Sequence, residues 1–477
     1  MTASLLLLDP RNISAAKNAK LALGRIEKHP ANPLFREEYF ADPPKPWEAR
    51  LDNVYPSVIY DQEDGVFKCW YKSFLRDRDS NRTPLAARPH APYRGGGREE
   101  GVLYAESADG IHWRKPALGL VEFAGSRRNN IVLSRGAHGI HAGGALKDTL
   151  DPDPARRYKF IHLNARAKRM ASCYSADGLT WSQPVVWPEH GAVGDTHNNA
   201  IRLPGSGRYV CITRGWSDGA YRGLRTVLRS ESDDFLRWTP PVEVLRGQGA
   251  HDQIYSMPIA QYGDLFIGLP AVFHKGDPAA ADWDTVDTEL AISADTAQWR
   301  RICPGQPLIP RGFGSYPDGE YDCGCVYAAA PIAQGDRILL YYGGSNGLHS
   351  NWREGSFNLA TLPRDRFAGY QPRDRLSKAL LTSARLRLTG ADITLNAEIE
   401  AGGSIRAALV DDEGASLPGF GLNDCLPVGE GQGGLALPLR WRERDIGDLA
   451  QRAFRLRLEL KAATAYAVGG AVRADDR

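Results

Sequence analysis

The segment Ser107-Ala108-Asp109-Gly110-Ile111-His112-Trp113 decides how this chain is read. Its frame, S-x-D-x-x-x-W, returns as Ser175–Trp181, Ser232–Trp238 and Ser293–Trp299. A short alternating segment precedes each copy and a Pro-rich one follows. Units of several short strands, spaced by roughly 60 residues or less, are the mark of a β-propeller or a similar array. Within the frame the Ser and Asp are suited to closing a turn through side-chain to backbone hydrogen bonds, and the Trp to packing between neighbouring units. The frame is therefore read as structural.

Working outward, the 477 residues are 42% hydrophobic and 24% charged, as in a soluble globular protein. A formal charge of +2 gives no reason to expect a nucleic-acid or anionic-membrane partner. The apolar run Leu5–Leu8 stops at Asp9-Pro10 and has no basic residues before it, unlike a secretory leader. No apolar run approaches the roughly 18 residues of a membrane span. The seven cysteines are scattered and read as reduced core thiols. A cytoplasmic location is expected, with no cofactor and no metal. A homo-oligomer stays open.

Before the first frame, Ala15–Lys28 reads as a short helix within a lead-in over residues 1–48. Asp52–Tyr60, the turn Asp61–Gly65 and Val66–Tyr71 form a hairpin by alternation and an Asp-Gly turn. Residues 74–100 read as a long loop. Further units open at Gly139, Asp195, His251 and Glu320, and the last of them lacks the frame. Asp148–Asp153 reads as a hairpin tip rather than a cation loop. Five units imply an all-β fold, a five-bladed β-propeller over residues 49–372. Strict alternation in Leu386–Leu388, Ile393–Ile399, Ile405–Leu409, Leu435–Trp441 and Phe454–Leu460 implies a C-terminal β-sandwich over residues 375–477.

The chemistry is expected where the first strands of the units converge. Their heads carry Asp52, His138 and His141, Asp195, Asp252, and the trio Asp318, Glu320 and Asp322. Arg50, Asn53, Tyr55, His197, Asn198, His251 and Tyr255 accompany them, and Trp47, Trp70, Tyr71 and Lys72 fall near the first acid. Like charges gathered at one mouth must spread their pKa values, which is the arrangement glycoside hydrolysis uses. The candidate catalytic residues are Asp52, Asp195, Asp252 and Glu320. The candidate substrate-binding residues are Arg50, Asn53, Tyr55, Lys72, His141, His197, Asn198, His251, Tyr255 and Asp322. His138-Gly-Ile-His141 has the wrong spacing for a helical metal pair and reads as hydrogen-bond donors.

Acid-headed first strands in a five-unit array, followed by alternating C-terminal strands, resemble the furanosidase clan of glycoside hydrolases, families 32 and 43. The resemblance implies a five-bladed propeller with three key acids, and for family 32 a C-terminal sandwich. It implies a nucleophile or base on the first blade, a supporting Asp on the third and a general acid on the fourth. By position these are Asp52, Asp195 and Asp252. The fourth-blade acid is Asp where the clan has Glu, so Glu320 competes for the acid role. The expected function is exo-acting hydrolysis of a terminal, furanosyl-type sugar from a small carbohydrate. A glycoside phosphorylase of the mannoside-phosphorylase type stays open, with Arg50, Lys72, Lys147 and Arg214 as phosphate contacts. So does a non-catalytic carbohydrate-binding propeller.

Overall fold

The computed structural model describes residues 4–429, 431–449 and 452–475. Met1–Ala3, at the start of the stretch read for a leader, lie outside them. The chain divides into two compact units, one of residues 1–26, 333–338 and 362–477, the other of residues 27–332 and 339–361. Among the described residues no helix is long and apolar enough to cross a membrane.

The second unit is all-β and propeller-like. Four antiparallel sheets of four strands follow the chain. The first holds Ser57–Asp61, Val66–Arg76, Glu99–Ser107 and Ile131–Ser134. The second holds Ile140–Lys147, Tyr158–Asn164, Arg169–Ser175 and Val185–Val186, and the third Asn199–Arg202, Tyr209–Trp216, Arg225–Ser232 and Val242–Arg246. The fourth holds Ile259–Tyr262, Leu265–Gly268, Leu290–Ser293 and Arg300–Ile302. A nine-stranded sheet then runs from Gln253–Ser256 through Ala271–Phe273, Val286–Thr288, Cys325–Ala328, Arg337–Ser345 and Gly355–Pro363 to Glu27–Lys28. Pro258 stands between Gln253–Ser256 and Ile259–Tyr262; it has no N–H to continue the ladder, and the chain passes there from one sheet to another.

The frames form one repeated turn. In each, the Asp Oδ1 accepts two backbone N–H groups, from Ile111 and His112, Leu179 and Thr180, Leu236 and Arg237, and Ala297 and Gln298, at 2.7–2.9 Å. The residue after the Asp is left-handed every time: Gly110, Gly178, Phe235 and Thr296. Glycine meets that demand at no steric cost in the first two copies only. The turns also link neighbouring sheets. Tyr341 Oη donates to Gly110 O, Trp70 Nε1 to Gly178 O and Tyr174 Oη to Phe235 O, while Arg229 Nε donates to Thr296 Oγ1.

The first unit holds an eight-stranded sheet dominated by two long bent strands, Lys378–Val410 and Ala453–Ala474. Their alternate residues, among them Leu381, Leu395, Leu409, Leu456 and Leu460, enter one buried core. The alternation is as expected, but the strands form one continuous sheet. The helix expected over Ala15–Lys28 is absent. Strands Ile13–Lys17 and Ala19–Leu23 stand there, pairing with Leu380–Ser383 and Ala368–Pro372. Asn18, left-handed at φ 53°, turns the chain between them. The expected loop over 74–100 is also partly ordered, with strand to Arg76, a short helix at Arg78–Arg82 and a 3-10 turn at Leu85–His90. Six cysteines are buried as free thiols, and Cys303 is half-buried.

Candidate active site

In the first sheet Phe67 pairs with Ser107 and Phe74 with Glu100. The frame and the strand heads therefore lie at opposite ends of the same strands. The head end begins with a backbone kink. Val54 and Tyr55 are both left-handed, at φ 61° and 45°, which for a β-branched residue is a costly conformation. Tight hydrogen bonds of 2.6 Å hold it, from Tyr55 N to Asn53 O and from Lys72 N to Val54 O. Gly343 permits it, because a Cβ there would sit 2.6 Å from the Val54 Cβ.

The kink sets Asp52 among cations. Arg353 Nη2 donates to Asp52 Oδ1 at 2.6 Å and to Asn53 Oδ1 at 2.8 Å. Lys72 Nζ reaches Asp52 Oδ2 at 3.4 Å, and Arg50 Nε lies 3.9 Å from Oδ1. Burial alone would raise the Asp52 pKa, but Arg353, Lys72 and Arg50 together hold it well below the usual aspartate range. Arg50 stacks on Tyr93 at 4.2 Å, and its Nε and Nη1 are buried without a hydrogen-bond partner.

Lys72 also lies 3.8 Å from Glu100, at the start of the third strand. Glu100 receives His141 at 2.8 Å and the Ala142 N–H at 3.0 Å. Burial raises its pKa, yet Lys72 and His141 bring it down to about 2. A second branch leads to Asp195. Asn53 Nδ2 donates to Tyr55 Oη at 2.8 Å and reaches Tyr255 Oη at 3.5 Å. Arg214 lies 4.0 Å over the Tyr255 ring, donates to its carbonyl, and pairs with Asp195 at 2.8 Å. Tyr327 shares a 2.8 Å hydrogen bond with His349 Nδ1. Burial and then Arg353 keep His349 well below its usual pKa, so the ring is neutral.

The structure thus joins Asp52, Asp195, Arg50, Asn53, Tyr55, Lys72, His141 and Tyr255. The other candidates lie elsewhere. Asp252 is held by Arg301 Nη1, at 2.9 and 2.7 Å from its two oxygens, in a cluster with Glu289. Glu320 is exposed and accepts the Phe313 N–H. Asp322 is fully buried on Lys28 at 2.7 Å and on Tyr342 at 2.8 Å. Asn198 spans Gly194 O and Thr213 Oγ1 within the third sheet. His197 stacks on Tyr55 but bonds to Ser57 Oγ, and burial lowers its pKa to about 3. His251 pairs with Asp282 at 2.9 Å. Lys147 is committed to Asp61 and Glu63 at the frame end.

Sequence reasoning missed Glu100, Tyr93, Arg98, Tyr327, His349 and Arg353. Of these, Tyr93, Arg98 and Glu100 fell in a segment already singled out, the long loop over 74–100. Among the described residues His251, His274 and Asp282 have ligand atoms close enough to hold a metal ion. Their nitrogens are engaged, however: His274 Nδ1 meets the His251 carbonyl at 3.0 Å and Nε2 meets Asp287 at 2.8 Å. Beside this group a cavity of about 410 Å³ is lined by Arg311, Cys323, Asn346, Asn351, Trp352 and Arg88, among others.

No family profile matches the chain, and no curated protein matches it in sequence. Solved structures do. An N-acetylgalactosamine deacetylase from F. plautii, in complex with blood group B trisaccharide, is 15% identical with a TM-score of 0.46, over 74% of this chain and 97% of that one. A glycosyl hydrolase from Bacteroides ovatus is 15% identical with a TM-score of 0.47, over 74% and 98%. The β-1,2-mannobiose phosphorylase from Listeria innocua is 13% identical with a TM-score of 0.47, over 71% and 97%.

Proposed function

We propose that the protein is a carbohydrate-active enzyme that cleaves the glycosidic bond of a terminal sugar in a small glycoside. In this reading the split fourth sheet and the strands from Cys325 to Pro363 are the fourth and fifth blades of one ring, and the long C-terminal strands fold over as a sandwich. The observation that carries the proposal is Asp52, an ionised carboxylate fixed at the head end of the first sheet by Arg353 and Lys72 and joined through Asn53, Tyr255 and Arg214 to Asp195. Asp52 serves as nucleophile or base, since its charge persists at any working pH. Asp195 is the second carboxyl at the mouth and protonates the leaving group. Its side chain keeps some exposure, so a bound sugar can reach it. A furanosyl substrate is preferred on the clan resemblance alone.

Phosphorolysis is the second reading, favoured by the cations Arg50, Arg353 and Lys72 around a single aspartate. The test is a screen of aryl furanosides and pyranosides with and without inorganic phosphate, following the released anomer by NMR. Cleavage without phosphate supports hydrolysis, and phosphate-dependent turnover supports the second reading. Sugar binding without any cleavage would contradict both and leave a binding module.

A further inference from the structure

The second and third strands of the third sheet end in a hairpin that no role assigned so far uses. Trp216 closes one strand and Arg225 opens the next, with Ser217–Leu224 between them. The tip is well tied: Ser217 N donates to Leu224 O at 2.9 Å, Arg222 N to Gly219 O at 2.9 Å, and Leu224 N to Ser217 Oγ at 2.9 Å. On it stands Tyr221, 54% exposed and left-handed at φ 63°. A bulky aromatic in that conformation carries backbone strain that glycine would avoid, and such strain gathers at ligand clamps.

The ring is not isolated. Tyr221 lies 5.8 Å from Trp216, whose indole is flanked by Arg225 at 4.6 Å and Arg214 at 5.8 Å. Arg214 is the residue that holds Asp195. Burial and then the Asp195 charge push the Tyr221 phenol upward, so the ring stands within electrostatic reach of that carboxylate. An exposed aromatic face beside a carboxyl of the proposed site suits the apolar C–H face of a sugar or an aryl ring.

We propose that Tyr221 and Trp216 form the wall of a leaving-group subsite, stacking a flat-faced pyranose or aryl ring beside Asp195. The inference rests on the glycosidase reading for its catalytic sense, but its binding content stands without cleavage. The test compares wild type with Tyr221→Gly and Tyr221→Phe on p-nitrophenyl glycosides and on glycosyl fluorides of the same sugars. Tyr221→Gly should lower kcat/KM for the aryl glycosides roughly 10-fold and leave the fluorides within about 2-fold, with Tm unchanged or raised as strain is relieved. Tyr221→Phe should keep wild-type behaviour. An equal loss on both substrate types, or no loss on either, would overturn the proposal.

Binding is read separately, by saturation-transfer NMR with p-nitrophenyl glycosides. Signal on the aryl protons in wild type that vanishes in Tyr221→Gly upholds the subsite even if nothing is cleaved. Equal signal in both proteins, or none in wild type, refutes it.

Discussion

The two ends of the strands in the propeller-like unit differ in kind. At the frame end, one turn recurs four times with the same donors, the same acceptor oxygen and the same left-handed residue. At the head end an aspartate recurs but its surroundings do not: Asp52 is clamped by Arg353, Lys72 and Arg50, Asp195 is tied to one arginine, and Asp252 is drawn by another into a separate cluster. Periodicity therefore marks the scaffold, and the departure from it marks the proposed site.

The largest break in that contrast comes from Arg353. Replacing Arg353 with Met leaves Asp52 buried without its nearest counter-charge, and breaking such a pair costs roughly 3–5 kcal/mol. Urea denaturation should show that loss, together with loss of activity. Acid should act next. Burial lowers the pKa of His162 and His190 to about 4 and that of His197 to about 3. The folded state holds them neutral while the unfolded chain takes up protons below about pH 6.5, so their stabilisation is complete above that pH and falls away as pH drops toward those values. The fall amounts to roughly 3 kcal/mol each for His162 and His190 and roughly 5 kcal/mol for His197. Tm measured against pH should decline from about 6.5 downward, and His197→Gln should flatten part of that limb. Glu100 adds a lower limb, lost between its ordinary carboxylate range and about 2.

At the frame end the effects shrink and spare activity. Asp234→Ala removes the acceptor of the Leu236 and Arg237 N–H groups and should cost about 1–2 kcal/mol by denaturation, with kcat unchanged. Tyr341→Phe deletes one of two hydrogen bonds to Gly110 O, the other coming from Trp113 Nε1, and should cost about 1 kcal/mol. A frame variant that abolished activity at unchanged stability would erase the distinction between the two ends.

The frame was legible in sequence because its chemistry spans three residues: the Asp and the N–H groups it caps are neighbours. Asp52 and Asp195 were legible as heads of strands that repeat. Arg353 was not, since it reaches Asp52 across 301 positions and lies in a connection with no periodic pattern. Glu100 opens a third strand, where no head was sought. Asp252 stands apart for a different reason. The strand it precedes is interrupted at Pro258, and Arg301, from the outermost strand of the fourth sheet, captures the carboxylate. The supposed helix at Ala15–Lys28 failed because a single left-handed Asn18 turns two short strands into something with helical spacing.

The central claim is that the ionised carboxylate of Asp52 is the catalytic group at the head end. Its most direct test is turnover of the best substrate from the aryl-glycoside screen by Asp52→Asn, which keeps the shape and removes the charge. The account predicts a drop in kcat of roughly 10³-fold or more, with the substrate still bound. Full activity in Asp52→Asn would contradict it.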